Sequence, residues 1–388
     1  MSGKIRVLVV DDSVVVRRML SEMLAADPAI ESISTASNGK IALARIPQIN
    51  PDAIILDVEM PELDGLQTLA AVRRIYKTLP VIMFSTVTAR GASATLDALA
   101  LGANDYVTKP SARSGTVGQL NLVYKDLVAK IRAHCRYVPI LPDAGASDAT
   151  VSSTPTPAPS IFPPLSTPGG ALPLAKPEVT GPADAIAIGV STGGPNALAE
   201  LLPTLPANLP VPVFIVQHMP RLFTKLLAER LSSKTRIPVH EACLGDQVSA
   251  GNVYIAPGDY HMLVKRIGMK MIIETNQAPP ENSCRPAVDP LFRSVAEAYG
   301  SKVVAVVLTG MGQDGLRGCE AIRARGGQVL AQDEASSVVW GMPGFVARAG
   351  LAERVIPLAE MGPEIVRRVR KPETVVRVQP IATLGANP

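Results

Sequence analysis

Five polar residues of the N-terminal third stand just beyond short apolar runs. Asp11 and Asp12 follow IRVLVV (5–10), Asp57 follows AIIL (53–56), Thr86 follows PVIMFS (80–85) and Lys109 follows DYVT (105–108). Three carboxylates gathered in one place repel one another and raise each other's pKa unless a cation is supplied. An all-oxygen ligand set of this kind suits Mg²⁺, which is held by few carboxylates and several waters. With that charge in place, one carboxylate can attack a phosphoryl group while a lysine and a hydroxyl neutralise its oxygens. Asp57 is the best placed nucleophile.

A second set lies further along. Gly189-Val190-Ser191-Thr192-Gly193 fits G-x-S-x-G, between the apolar run AIAIGV (185–190) and a helical pattern over Asn196–Leu202. Such a turn exposes the serine, and free backbone N–H groups around Thr192, Gly193 and Gly194 can stabilise an oxyanion, with the Met311 region as a further donor. A serine hydroxyl attacks only when a base removes its proton. Of the four histidines, His134 borders a proline-rich stretch, His240 lies in the polar segment IPVHEA, and His261 falls inside a hairpin pattern; His218 ends VPVFIVQ (211–217) and shares the edge of Ser191. The base in turn needs an acid to fix its tautomer. Asp314 qualifies, in GMGQDG (310–315) just after VVAVVLT (303–309). Each residue alone has a plainer use. Asp12 or Ser13 can cap a helix, Asp314 can cap one before Leu316, and a glycine turn can cradle phosphate.

What would bring these residues together is a parallel sheet. Apolar runs alternate with helical patterns over Val14–Ala25, Gly65–Tyr76 and Ala92–Ala100, then again over Gly315–Ala324, which implies βαβ units. In an open sheet of that kind, the carboxyl ends of the strands meet at one crevice. The expected fold class is therefore α/β: a first parallel domain, then a doubly wound, mostly parallel three-layer αβα domain. NVYIAPGDYHMLVKRIGMKMIIET (252–275) reads as an antiparallel hairpin turning at Arg266-Ile267-Gly268, expected to join the second sheet.

Composition narrows the function classes. The chain has 388 residues, which suggests two cores, and its aromatics amount to only 4% against 47% hydrophobic residues, a mix suited to sheets buried on both faces. The formal charge of +4 is spread without a dense basic run, so nucleic acid is not an expected partner. Cys135, Cys243, Cys284 and Cys319 are far apart and form no CxxC pair, which points to neither zinc nor disulfides. No apolar run reaches membrane-spanning length; a cytoplasmic protein without membrane insertion is expected. Residues 138–182 contain eleven prolines and four charged residues, the composition of a linker. The expected division is 1–137, linker 138–182, 183–370, and a flexible tail 371–388.

The string DVEMPELDG (57–65), the Asp11-Asp12 pair and TKP (108–110) resemble the CheY-like response-regulator receiver family. The resemblance implies a flavodoxin-like fold in which a histidine kinase phosphorylates Asp57, Asp11, Asp12 and Asp57 bind Mg²⁺, Lys109 contacts the phosphoryl group, and Thr86 and Tyr106 are switch positions. GVSTGG (189–194), QHMP (217–220), RPAVDPLF (285–292) and LTGMGQDG (308–315) resemble the chemotaxis protein-glutamate methylesterase family. This second resemblance implies hydrolysis of glutamate methyl esters on chemoreceptor cytoplasmic domains, deamidation of receptor glutamines, no cofactor in the catalytic part, and a receiver that covers the catalytic crevice until it is phosphorylated. The chain order Ser, His, Asp differs from the Ser, acid, His order of ordinary α/β-hydrolases. Two other readings predict different features. A DNA-binding output module would need a basic helix-turn-helix after the linker; a catalytically inert second domain would only bind receptor or kinase, a reading that the complete Ser191, His218 and Asp314 set argues against and that methanol release from methylated receptor membranes discriminates.

Overall fold

The computed structural model describes residues 4–110, 117–135 and 181–369. Nearly all of the proline-rich stretch and the whole tail from 371 lie outside the described residues.

The N-terminal sheet begins with β1 (Ile5–Val10), α1 (Val14–Ala25), β2 (Ile30–Ala36), α2 (Gly39–Ile49) and β3 (Ala53–Asp57). It continues through α3 (Gly65–Ile75), β4 (Val81–Ser85), α4 (Ala89–Ala100), β5 (Asp105–Thr108) and α5 (Val117–His134). Its strands are parallel in the order β2-β1-β3-β4-β5, the flavodoxin-like arrangement. β3 and β4 are buried throughout, as strands covered by helices on both faces must be. Ser13 Oγ accepts the Val16 N–H and caps α1, so Asp12 is not spent on capping. Thr88 caps α4, which starts that helix earlier than the apolar pattern alone suggests.

The C-terminal body opens with β6 (Ala185–Val190), α6 (Gly194–Leu201), β7 (Val213–Gln217), α7 (Arg221–Lys234), β8 (Val239–Glu241) and β9 (Val253–Ile255). Next come β10 (His261–Ile267), β11 (Lys270–Asn276), α8 (Val288–Tyr299), β12 (Val303–Val307) and α9 (Leu316–Ala324). It closes with β13 (Gln328–Gln332), α10 (Met342–Arg348), β14 (Arg354–Ile356) and α11 (Leu358–Val369). Seven strands pair in parallel in the order β14-β13-β12-β6-β7-β9-β8. The chain leaves β6 toward one edge and returns through β12 to the other, so the switch point lies between β6 and β12. This is where the C-terminal ends of β12, β6 and β7 stand side by side.

The hairpin forms but does not join this sheet. β10 and β11 pair only with each other as named strands, because β8 already occupies the edge beside β9. The buried face of the hairpin, Met262, Val264 and Ile273, packs toward α8, with the Val264 N–H donated to Ser294 Oγ at 3.0 Å. α6 starts before the expected Asn196 because Gly193, at φ +76, takes the N-cap position.

α11 is locked to the sheet edge by charge. Glu364 accepts from Arg354, Arg367 and Arg368, and Arg368 also bonds Glu353 and Gln328. Arg367, then Arg368, hold the Glu364 carboxyl down to about 2, against its burial. This contribution to stability is present above the ordinary glutamate pKa and is lost as pH falls toward 2. Because the Glu364–Arg368 pair is almost fully buried, Glu364→Gln should cost about 3 kcal/mol in urea unfolding and should flatten the acid limb of the stability curve.

The two bodies touch. Tyr106 of β5 stacks on Phe223 of α7 with ring centroids 4.9 Å apart and an interplanar angle of 11°. Around that stack, Arg230 meets Asp97 at 2.9 Å and Asn196 Nδ2 donates to the Ala103 carbonyl at 3.3 Å. The exposed ion pair contributes under ~1 kcal/mol, so the buried aromatic pair dominates this contact. Among the described residues no helix is long and apolar enough to cross a membrane.

Candidate active site

At the C-terminal edge of the first sheet, Asp11, Asp12 and Asp57 each place a carboxylate oxygen within 4.8 Å of the others. Asp11 and Asp57 are buried and Asp12 is exposed. Lys109 Nζ bridges the two buried carboxylates at 2.8 Å each. Burial pushes Asp57 up to about 6; Lys109 pulls it down, and Asp11 adds to the rise. One ammonium therefore does not offset the charge that burial concentrates here, and the donor set is the hard, all-oxygen kind that fits Mg²⁺. Thr86 lies beyond β4, but its hydroxyl meets Thr88 Oγ1 at 3.4 Å rather than a carboxylate. Tyr106 points away from the cluster into the interface with Phe223.

The second site sits on the switch point of the larger sheet. Val190 and Gln217 are register partners in β6 and β7, so Ser191 and His218 leave adjacent strands at the same level. Gln217 ties them further: its Nε2 donates to the Ser191 carbonyl at 3.0 Å and lies 3.4 Å from that of His218. Gly310, in the loop after β12, approaches so closely that a Cβ there would stand 2.9 Å from Ser191 Cβ. No larger residue fits without displacing the serine.

Asp314 is buried and accepts five donors. Oδ2 takes His218 Nε2 at 2.8 Å and the Val288 N–H at 2.6 Å; Oδ1 takes the N–H groups of Asp289 and Gly315 and the Asn282 amide. Two of those donors belong to the first turn of α8, whose own N-cap, Ala287, offers no side chain for the purpose. Burial works to raise the Asp314 pKa, but His218 and these N–H groups bring it below the usual carboxylate range. For His218, burial acts to lower the pKa, yet the bonds to Asp314 and Cys284 prevail and push it up to about 10. Since Nε2 faces the acid, Nδ1 is the nitrogen left for other work. It lies 3.6 Å from Cys284 Sγ. Among the described residues, no hydrogen bond joins Ser191 Oγ to the imidazole.

Of the backbone donors expected around the serine, the Gly194 N–H is spent on the Ser191 carbonyl at 2.8 Å. Thr192 and Gly193 are buried beside it, and Met311 lies exposed across the cleft; none of these three donates a backbone hydrogen bond among the described residues. The cleft is ≈ 680 Å³, and its walls come from both bodies: Ser191, Thr192, His218 and Met311 on one side, Tyr106 and Lys130 on the other. Lys130 is buried there, bonded to the Tyr106 carbonyl at 2.6 Å and paired with Asp105 and Asp126.

The remaining histidines are held elsewhere. His261 is buried, accepts the Ala287 N–H at Nδ1 and bonds the Pro279 carbonyl, while His240 touches Asn252 and His134 pairs with Asp105. Gln217, Asn282 and Cys284 were not singled out by sequence reasoning. Gln217 neighbours His218, and Cys284 immediately precedes RPAVDPLF (285–292), so position relative to the recognised strings was the available signal.

Comparison with known proteins gives a consistent picture. A family model described as CheB methylesterase matches residues 186–365, and one described as response regulator receiver domain matches residues 7–120. A protein-glutamate methylesterase/protein-glutamine glutaminase of Trichodesmium erythraeum is 53% identical over 367 residues, covering 94% of this chain and 99% of that protein. A protein of the same name from a Nocardioides species is 50% identical over 370 residues, covering 95% and 96%.

Proposed function

This chain belongs to the CheB methylesterase family, and on that premise we propose that it is a protein-glutamate methylesterase and protein-glutamine glutaminase whose chemistry runs through Ser191, His218 and Asp314. The observation that carries this reading is the 2.8 Å bond from His218 to buried Asp314, at strand ends beside Ser191. In the reaction, Ser191 Oγ attacks the glutamyl carbonyl and His218 Nδ1 takes its proton, while Asp314 fixes the tautomer and balances the imidazolium. The backbone N–H groups of Thr192, Gly193 and Met311 receive the oxyanion; Gly194 is left out because its N–H is already bonded. The imidazolium then protonates the leaving group, so that methoxide departs as methanol or a glutamine's amide nitrogen departs as ammonia, and water hydrolyses the acyl-enzyme by the reverse path. No cofactor takes part in these steps.

The division into a regulatory unit over 1–137 and a catalytic unit over 183–370 accompanies this reading. In the first, Asp57 accepts a phosphoryl group from a histidine kinase. Mg²⁺, held by Asp11, Asp12 and Asp57, would supply the charge that lets the carboxylate attack, and Lys109 would then pair with the phosphoryl oxygens. The proposed substrates are the methylated cytoplasmic domains of chemoreceptors, met in the cytoplasm. With Tyr106 and Lys130 forming one wall of the cleft, a large helical substrate cannot reach Ser191 while the two bodies are closed together. Phosphorylation of Asp57, relayed through Thr86 and Tyr106, favours the open state.

A methanol-release assay on methylated receptor membranes, with and without a small phosphodonor, tests this. The phosphodonor should raise the rate about tenfold, equivalent to ~1.4 kcal/mol in the closed–open balance. Asp57→Asn should show no response; equal stimulation of that variant would end the switching reading, and no methanol from any preparation would end the esterase one.

A further inference from the structure

We propose that Cys284 restrains this reaction: its thiol occupies the imidazole nitrogen that Ser191 needs, and the Glu281–Cys284 turn thereby governs when His218 serves as the base. The proposal rests on the Ser191, His218 and Asp314 reading above.

The imidazole has two nitrogens, and Nε2 is committed to Asp314 at 2.8 Å. Proton transfer from the serine must therefore use Nδ1. That nitrogen faces Cys284 Sγ at 3.6 Å, within hydrogen-bonding range for sulfur, whereas Ser191 Oγ makes no hydrogen bond to the ring among the described residues. A second-row donor with a weak bond holds the position that a hydroxyl must take during turnover. The thiol is thus a competitor for the base.

The turn that delivers it is built for placement. Glu281 and Cys284 exchange both backbone hydrogen bonds, at 3.1 and 2.8 Å. Between them Asn282 and Ser283 adopt φ +51 and +62, two successive left-handed residues without a glycine. Strain of this kind persists only where surrounding contacts enforce it. Here Asn282 Nδ2 donates to both Asp289 and Asp314 at 2.9 Å, so the acid that orients one side of the imidazole also seats the turn that presses on the other. On the far flank, Arg285 is fixed by Asp259 and by the carbonyls of Gln277 and Ala278. One short turn therefore touches the acid and the base together.

Burial acts to lower the proton affinity of His218, and the bond to Asp314 raises it. Losing the sulfur contact would free Nδ1 for the serine proton. The other charged groups lining this cleft are Arg221, Asp259 and Arg285, with Asp105, Asp126 and Lys130 on the opposite wall.

The test uses the full chain. Cys284→Ala, Cys284→Ser and Ser191→Ala are assayed for methanol release between pH 5 and 9, with thermal melts as a folding check. Removing the competitor should raise kcat at neutral pH by ~3-fold or more with KM unchanged. Serine at position 284 keeps a donor there and should gain less than alanine. A Cys284→Ala rate at or below that of the parent, or an equal gain in Cys284→Ser, overturns the proposal. If Ser191→Ala is dead while Cys284→Ala merely matches the parent, only this proposal falls; turnover by Ser191→Ala would take the catalytic reading down with it.

Discussion

Ser191→Ala should cut methanol release by at least ~10⁴-fold while the chain still folds and Asp57 is still phosphorylated. The size follows from the proposed mechanism, in which this oxygen forms the covalent bond to the acyl group and binding and the oxyanion donors alone account for what remains. The selectivity follows from where the hydroxyl stands. Its backbone is pinned by the N–H bond to the Thr309 carbonyl and by Gly194 and Gln217 on the Ser191 carbonyl, none of which uses the side chain. The hydroxyl itself contributes no hydrogen bond among the described residues, so removing it costs the fold little. Methanol release together with a thermal melt checks both halves of the expectation. A rate within tenfold of the parent would mean that another nucleophile does the work.

Much of the placement of these residues was legible in the chain, and the reason is periodicity. Strands covered on both faces must be continuously apolar, so AIAIGV (185–190) and VPVFIVQ (211–217) announced themselves, and the polar residues just past their ends had to meet at one edge. The pairing of Val190 with Gln217 is what makes Ser191 and His218 neighbours. What stayed hidden was decided by contacts between distant segments. The hairpin pattern was plain, but its separation from the sheet depends on β8 taking the edge beside β9, and β8 is only three residues long. The N–H of Gly194 looked free in a glycine turn, and only coordinates show it closed onto the serine carbonyl. Cys284 looked inert because no histidine stands near it in the chain; His218 reaches it from 66 residues away. Thr86 and Tyr106 were recognised by resemblance, yet the stacking of Tyr106 on Phe223 belongs to a surface that neither body's sequence encodes alone.

Asp314→Asn should be nearly as damaging as loss of the nucleophile, with kcat lower by ~10⁴-fold, although it changes a single atom. A carboxylate offers lone pairs on both oxygens, and Asp314 uses both: Oδ2 for His218 and Val288, Oδ1 for Asn282, Asp289 and Gly315. An amide can satisfy only the donors on one side. If its oxygen stays with the three donors at Oδ1, its NH₂ faces His218 Nε2, which must then give up its proton and become the acceptor. The proton moves to Nδ1, and the nitrogen that should receive the serine proton is already occupied. If the amide turns the other way, His218 keeps its tautomer, but three buried donors meet an NH₂ group at a cost of about 1–3 kcal/mol each for those left unpaired. Either arrangement also removes the charge that holds the imidazole up to about 10, so the histidine of the variant should titrate lower. Stability follows the same sign. A carboxyl held below its ordinary pKa stabilises the fold above that ordinary value and loses the contribution as pH falls through the folded one, so the variant should be less stable at neutral pH and closer to the parent in acid. Kinetics and titration separate the two causes of damage. A large kcat loss with an altered histidine titration identifies Asp314 as the group that sets the tautomer, whereas a tenfold loss with only a lowered melting point would reduce it to a cap for α8.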